Sequence, residues 1–216
     1  MALSKVNFNS LNVTPAASKA IKFNSNNNGI ETGDVGGSLV LLETQTLSSA
    51  ASTISFTSNI DSTYKEYVFK FFNLHPATDN VNFTFQANVS GASGFNETMT
   101  TTNFRAYHSE DGQYAAIEYN AADDQAQGTS YQIISEGNDN DNDNGLSGEL
   151  TLFDPSSTTF VKHFISRCCT YNHGIVGMED EFVAGYFNVT GAIDEVSFKM
   201  SSGNIDAGTI KMYGVV

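Results

Sequence analysis

Residues 81–89 read VNFTFQANV, a stretch in which apolar side chains occupy every second position and Asn, Thr or Gln stand between them. Successive side chains of a β-strand point to opposite faces, so this pattern predicts a strand with one face in a core and the other in water. Residues 67–71 (YVFKF) and 196–200 (VSFKM) alternate in the same way. The sequence therefore predicts paired strands, each with one apolar face.

Similar runs separated by turn residues extend this pattern along the chain and predict further strands at 38–47, 51–58, 99–108, 114–120, 130–136, 147–153, 160–170, 182–190 and 208–216. The longest loops are expected at 90–98, 121–129, 137–146 and 171–181, and a turn at 201–204 should join the last two strands as a hairpin. No window shows a helical stripe of useful length. About a dozen strands predict an all-β fold, a jelly-roll-like antiparallel β-sandwich over residues 38–216.

Composition agrees with this fold class and excludes some partners. The chain of 216 residues has 16 Phe and 9 Tyr, only 16% charged residues, and a net charge of −14. An acidic surface repels phosphate groups, so we expect no nucleic-acid partner. No apolar run approaches the roughly 20 residues that cross a bilayer, so no membrane insertion is expected. Residues 1–10 show no apolar leader segment, and we expect synthesis in a cytoplasm.

Residues 1–37 differ from the rest of the chain. They are rich in Asn, Gly and Ser, and their apolar residues are too scattered to build a core. The run Asn26–Gly29 predicts a turn, because Asn and Gly tolerate the left-handed conformation. We interpret this segment as an N-terminal arm that orders on a partner, with a flexible tail as the alternative.

The acidic run 137–145 (GNDNDNDNG) suggests calcium, because Ca²⁺ takes six to eight oxygen ligands. The candidate ligands are Asp139, Asp141 and Asp143. Neither register of an EF-hand loop fits the run. With these aspartates as ligands the glycine falls one place too late, and with Gly145 in the glycine position Thr151 stands where the loop needs Glu. An acidic, solvated turn is the favoured interpretation.

Cys168 and Cys169 are the only cysteines, and His173 follows four residues after the second. A structural zinc site needs four ligands, usually in two spaced pairs. The two adjacent cysteines and the single nearby histidine do not provide two such pairs. Adjacent residues in a strand point to opposite faces, so two reduced thiols are expected. No metal and no cofactor is predicted.

Motifs for catalysis are missing from the sequence. Neither G-x-S-x-G nor a phosphate-binding loop occurs. The acids at 179–181 and 123–124 look like loop residues without burial, so a carboxylate pair for glycoside hydrolysis is not indicated. Exposed tyrosines can stack on sugars, and the candidate binding residues are Tyr107, Tyr171 and His173. Ordinary core or surface tyrosines are the alternative.

Three stretches resemble a family of virion structural proteins of marine cyanobacterial tailed phages. They are residues 62–71 (STYKEYVFKF), 148–160 (GELTLFDPSSTTF) and 198–214 (FKMSSGNIDAGTIKMYG). The N-terminal residues 14–16 (TPA) and 18–21 (SKAI) are similar as well, so the resemblance covers nearly the whole chain. It brings no catalytic residues.

The resemblance implies a β-sandwich on the surface of the virion, near tail, baseplate or fibre components. On this basis we expect a non-enzymatic tail fibre or baseplate appendage that takes part in host attachment. A capsid (head) decoration protein is the alternative, and a polysaccharide-degrading enzyme is a third class. The expected partners are other virion proteins through the arm, copies of the same chain, with a trimer favoured, and a host surface glycan or protein.

Overall fold

The computed structural model describes residues 19–26, 28–34 and 38–216, and every regular element within these residues is a β-strand. The prediction of an all-β, antiparallel fold is confirmed. Contacts divide the chain into two units, Met1–Ser38 and Leu39–Val216. In the described part of the chain no helix is long and apolar enough to cross a membrane.

The first unit contains a β-hairpin within the predicted arm; the remainder of that arm, residues 1–18, 27 and 35–37, lies outside the described residues. Strand β1 (Lys19–Phe23) pairs antiparallel with β2 (Ile30–Asp34). Between them, the backbone N–H of Asn24 donates to the carbonyl of Gly29 at 3.0 Å. This places a turn at the predicted Asn/Gly run. The hairpin exposes three large apolar side chains, Ile21, Phe23 and Ile30.

The second unit contains twelve strands within the described residues. They are β3 (Leu39–Thr46), β4 (Ile54–Phe56), β5 (Glu66–Pro76), β6 (Val81–Val89), β7 (Met99–Ser109), β8 (Ala115–Tyr119), β9 (Gln132–Asn138), β10 (Leu146–Phe153), β11 (Lys162–Asn172), β12 (Gly177–Phe187), β13 (Ile193–Met200) and β14 (Ile205–Val215).

These strands form one hydrogen-bonded antiparallel sheet of twelve strands that branches at β11 and folds into two layers. The large layer has the order β3-β14-β5-β10-β11-β12-β7-β8, and the small layer has the order β9-β6-β13-β4. One residue pair, Asn172 with Asn138, connects β11 to β9 and so joins the layers. Phe71 on β5 meets Phe83 on β6 at 5.2 Å between ring centroids, although these strands do not pair. The layers therefore face each other as a sandwich.

The core lies between the layers and is built around Phe198 of β13. Its ring lies 5.2–6.3 Å from five other phenylalanine rings, counted between centroids, contributed by both layers: Phe56, Phe69, Phe71, Phe83 and Phe85. Edge-to-face and offset pairs of this kind add to the free energy gained by removing the rings from water. The apolar faces predicted at 67–71, 81–89 and 196–200 are confirmed as the faces that fill this core.

The predicted wet face of residues 81–89 is wrong. Thr84, Gln86 and Asn88 are also buried, at 0–3% exposure. The Gln86 amide donates to three backbone carbonyls of the neighbouring loops, at Glu97, Thr129 and Ser130. Because the loops satisfy these polar groups, they can cover the outer face of the small layer without leaving unpaired donors.

Two further predictions are corrected. Strands β13 and β14 do not form a terminal hairpin, since β13 pairs with β6 and β4 whereas β14 pairs with β5 and β3. Both strands have inward apolar residues, and the 201–204 turn carries the chain from one layer to the other. The expected loop at 171–181 is instead a tight hairpin, because β11 and β12 pair as far as Asn172 and Gly177.

Candidate functional site

An aromatic row crosses the outer face of the large layer. The strand register aligns Arg167 of β11 with Phe182 of β12, Phe182 with Phe104 of β7, and Phe104 with Tyr119 of β8. The rings of Phe104 and Phe182 stack at 4.8 Å with an interplanar angle of 1°. The Arg167 guanidinium lies over the Phe182 ring, 4.8 Å from its centroid. Cross-strand pairing thus builds the row from residues distant in sequence.

Apolar side chains flank this row on the same face. Ile117 is 79% exposed, and Ile165, Met178 and Phe104 are each more than two-fifths exposed. We call Phe104, Ile117, Ile165, Met178 and Phe182 together the outer apolar face. Contiguous apolar patches on a soluble protein mark interaction sites, because each exposed ring or aliphatic chain keeps unfavourable contact with water.

Two shallow depressions border the outer apolar face, with volumes of about 370 and 420 Å³. Both are lined by Glu149 and Arg167. Arg167 donates to both carboxylate oxygens of Asp180, at 2.6 and 2.9 Å, and this hydrogen bonding raises the pKa of the guanidinium. Farther along the same face Lys70 pairs with Glu149 at 3.0 Å. An apolar centre with charged neighbours suits a protein partner or a ring-bearing ligand.

The inner side of the same strands holds a buried acid cluster. Glu179 and Glu181 of β12 are 0% and 1% exposed, and Glu136 comes from β9. Arg105 of β7 pairs with Glu136 and, at 3.3 Å, with Glu179. Glu181 accepts from the backbone N–H of Glu136 at 2.8 Å and from the amide of Asn103 at 2.5 Å. These bonds connect the two layers through polar groups.

Burial changes the proton affinity of this buried acid cluster. Loss of solvation raises the pKa of Glu179 to about 8, and the nearby charge of Glu181 adds to the rise although Arg105 opposes it. Burial likewise raises the pKa of Glu181 to about 7 and that of Asp123 to about 6. Carboxyls with raised pKa values serve as acids in many enzymes. A general acid must touch its substrate, however, and Glu179 and Glu181 lie beneath the surface.

The expectation that residues 179–181 and 123–124 are unburied loop acids is wrong for four of the five. Residues 179–181 all belong to β12, where Glu179 and Glu181 are buried, and Asp123 is 8% exposed. The alternation of side chains along β12 could have indicated their burial, since Glu179 and Glu181 lie on the same face of the strand as buried Val183. Their neighbour Asp180 has the opposite parity and lies on the outer side with Arg167.

The three candidate binding residues lie in separate environments. Tyr171 is on the outer side of β11, opposite Met178 and so beside the outer apolar face. Tyr107 is on the inner side of β7, with the Arg105 guanidinium 5.5 Å from the centroid of its ring. His173 is in the turn between β11 and β12 and faces two carboxylates. The structure therefore does not unite them in one site.

The candidate calcium aspartates also separate. Asp139 is buried beside His173 and Asp79. The Asp141 carbonyl contacts His75 Nε2 at 3.2 Å, and Asp143 lines a depression of about 600 Å³ with His75 and Asp206. Burial lowers the pKa of His75, but its 2.6 Å hydrogen bond to Asp206 and contacts with backbone carbonyls raise it overall.

Both thiols are free and lie on β11. Cys168 is buried in the core, and burial raises the pKa of its thiol. Cys169, on the opposite side, donates to the carbonyl of Ser147 at 3.3 Å. His173 contacts aspartates rather than these sulfurs, so the cysteines act as small packing groups of the strand.

The outer apolar face was missed by sequence reasoning. The sequence of β11 does indicate it, because apolar side chains occur on both faces of that strand: Phe164 points inward and Ile165 points outward. The stacking of Phe104 on Phe182 depends on strand pairing, which the local pattern does not reveal. Comparison of the chain with protein-family models, curated protein sequences and solved structures finds no match.

Proposed function

We propose that the chain is a non-enzymatic structural protein of the surface of a tailed-phage particle, a tail fibre or baseplate appendage that takes part in host attachment. The observation that carries the proposal is the outer apolar face. An all-β sandwich with such a face suits a component that is buried against neighbours in an assembly. In this role the protein acts through contacts made by the outer apolar face and not through a reactive side chain.

The stretches that resemble phage virion proteins support the proposal through their position. Residues 62–71, 148–160 and 198–214 contribute strands β5, β10 and β14, which are neighbours in the large layer. A side chain at Gly214 would place its Cβ 2.3 Å from the Tyr64 ring, so this position requires glycine. The shared stretches are therefore framework, and a family with this framework can vary its exposed faces.

The hairpin of β1 and β2 supplies a means of attachment to other virion proteins. Phe23 is 75% exposed, and Ile21 and Ile30 are each at least two-fifths exposed. Side chains of this size gain about 2 kcal/mol each when a partner removes them from water. We assign the hairpin, as part of the arm, to docking on the particle.

We assign the outer apolar face to contact between copies of the chain, with a trimer as the expected assembly. Closed symmetric oligomers bury such faces without leaving a free edge for further growth. The 24 acidic and 10 basic residues argue against nucleic acid as the partner. The virion surface is the proposed location, reached after synthesis in the host cytoplasm.

Light scattering after size-exclusion chromatography tests this assignment. The unchanged chain should run as a trimer at micromolar concentration, and Phe104→Ser should shift it toward monomers. Phe160→Ser is the matched control, because Phe160 is 71% exposed but lies in the loop between β10 and β11. A monomeric unchanged chain, or equal effects of the two substitutions, would contradict the assignment.

The place on the particle is decided by counting copies in purified virions by quantitative mass spectrometry. Tens of copies or fewer support a tail or baseplate appendage. Hundreds of copies would overturn that placement in favour of head decoration. A fall in polysaccharide chain length on incubation with the purified chain would contradict the non-enzymatic role.

A further inference from the structure

Three turns at one end of the second unit bring two carboxylates and an imidazole together. Asp79 comes from the turn between β5 and β6, Asp139 directly follows β9, and His173 lies in the turn between β11 and β12. One ligand atom from each residue lies within 4.8 Å of the others. We call this group the Asp79–Asp139–His173 cluster.

Two distances within the cluster match those between neighbouring ligands of a single metal ion. His173 Nδ1 lies 3.1 Å from Asp79 Oδ1 and 3.4 Å from Asp139 Oδ2. Zinc binds imidazole and carboxylate at about 2.0–2.2 Å, which places neighbouring ligand atoms about 3.0–3.5 Å apart in octahedral or tetrahedral geometry. One ion can therefore contact His173 Nδ1 together with either carboxylate oxygen. The two carboxylate oxygens lie within 4.8 Å of each other, so joining all three ligands takes at most a small movement of the exposed Asp79 side chain.

The protein holds these groups in place and leaves their charge poorly balanced. Asp139 is 7% exposed, and its Oδ1 atom accepts the backbone N–H of Asp141 at 2.8 Å, so Oδ2 is left to face the cluster. The backbone N–H of His173 donates to the carbonyl of Gly137 at 2.8 Å. Within the described residues, Asp79 and Asp139 form ion pairs with His173 alone. A buried carboxylate needs a cationic partner, and two carboxylates here share one imidazole.

We propose that the Asp79–Asp139–His173 cluster binds a divalent transition-metal cation of the Zn²⁺ type through one nitrogen and two oxygen ligands. The imidazole nitrogen favours Zn²⁺ over Ca²⁺, which takes six to eight oxygens. The ion balances both carboxylates and ties three turns together. The site is separate from the outer apolar face, and the inference stands without the proposed virion role.

Isothermal titration of ZnCl₂ into the full chain, stripped with a chelator, tests the proposal. We expect one Zn²⁺ per chain. Asp79→Asn and His173→Gln should each weaken binding more than the roughly 10–100-fold lost with a supporting hydrogen-bond partner. His75→Gln is the matched control, because His75 pairs at 2.6 Å with one carboxylate, that of Asp206, and lies outside the cluster. The His75→Gln protein should bind as much Zn²⁺ as the unchanged chain.

Folding of the variants is checked by thermal unfolding without metal. The Asp79 side chain is 43% exposed, and Asp79→Asn removes one of two carboxylates that share one imidazole, so this variant should not lower the metal-free midpoint. His173→Gln removes the ion-pair partner of buried Asp139 and should lower that midpoint, so Asp79→Asn is the variant that separates loss of metal binding from loss of folding. Zn²⁺ should then raise the midpoint of the unchanged chain and of His75→Gln only. The proposal is overturned if the unchanged chain binds no Zn²⁺, if His75→Gln loses binding as His173→Gln does, or if Ca²⁺ binds more tightly than Zn²⁺.

Discussion

Glutamine in place of Glu179 should make the protein more stable in mildly alkaline solution. Glu179 is 0% exposed, and its Oε1 atom has no hydrogen-bond partner in the described part of the chain. Burial, reinforced by the charge of Glu181, raises the pKa of Glu179 from 4.5 to about 8. The folded protein therefore holds a proton on this carboxyl that the unfolded chain releases.

The sign and size of the effect follow from this pKa difference. Because the folded pKa of Glu179 is raised, its contribution to stability is fully present below pH 4.5 and is lost as the pH rises to 8 and beyond. At about 1.36 kcal/mol per pKa unit, the difference between 4.5 and 8 amounts to about 5 kcal/mol. Glutamine has the shape of the protonated acid and stays neutral at every pH, so it avoids this loss.

Urea unfolding of the full chain at about pH 5, 7 and 9, followed by circular dichroism, measures the effect. The free energy of unfolding of Glu179→Gln should match that of the unchanged chain at about pH 5 and exceed it by several kcal/mol at about pH 9. Glu118→Gln is the matched control, because Glu118 also binds Arg105, at 2.8 Å, but its side chain is 42% exposed. This control should show no comparable gain at high pH.

A raised pKa of Glu179 would be contradicted if the difference in unfolding free energy between Glu179→Gln and the unchanged chain were the same at all three pH values. An equal gain in stability of Glu118→Gln at high pH would contradict the role given to burial of Glu179. The first result would mean that the Glu179 carboxyl is ionised in the folded protein throughout this range. The second would mean that the gain follows the loss of any acidic charge beside Arg105 and does not depend on burial of Glu179.

Three further predictions concern the core, a buried cation and the arm. Phe198→Ala should lower the free energy of unfolding by about 3–5 kcal/mol, because it empties the centre of the core; a loss below 1 kcal/mol in urea unfolding would contradict this. Lys162 is 0% exposed, and its Nζ donates to the carbonyl of Val189 at 3.0 Å while burial lowers the pKa of the amine. Lys162→Met should therefore leave the protein equally stable or make it more stable, since it removes a desolvated charge. A drop of several degrees in the thermal unfolding midpoint would contradict this. Deletion of residues 1–37 should leave a β-type circular dichroism spectrum but prevent incorporation into particles, so unfolding or normal incorporation of the truncated chain would count against the arm.

The Asp79–Asp139–His173 cluster was only partly predictable from sequence, because its residues come from three separate turns. The sequence indicates Tyr107, Tyr171 and His173 as candidate binding residues, and the composition of the run 137–145 makes Asp139 a candidate calcium ligand. Asp79 was not selected, since a single aspartate in a turn carries no local signal. Convergence of Asp79, Asp139 and His173 requires three turns to meet at one end of the sandwich, and chain connectivity does not specify that meeting.

The sequence by itself determined the all-β class, the position of most strands and the inward face of strands such as 81–89. These features follow from a period of two, which is a local property of the chain. Tertiary structure alone decided that Glu179 and Glu181 are buried, that β13 and β14 belong to different layers, and that Phe104 stacks on Phe182. The physical reason is that burial and pairing depend on which strands and loops cover a face, and the covering residues come from distant parts of the chain.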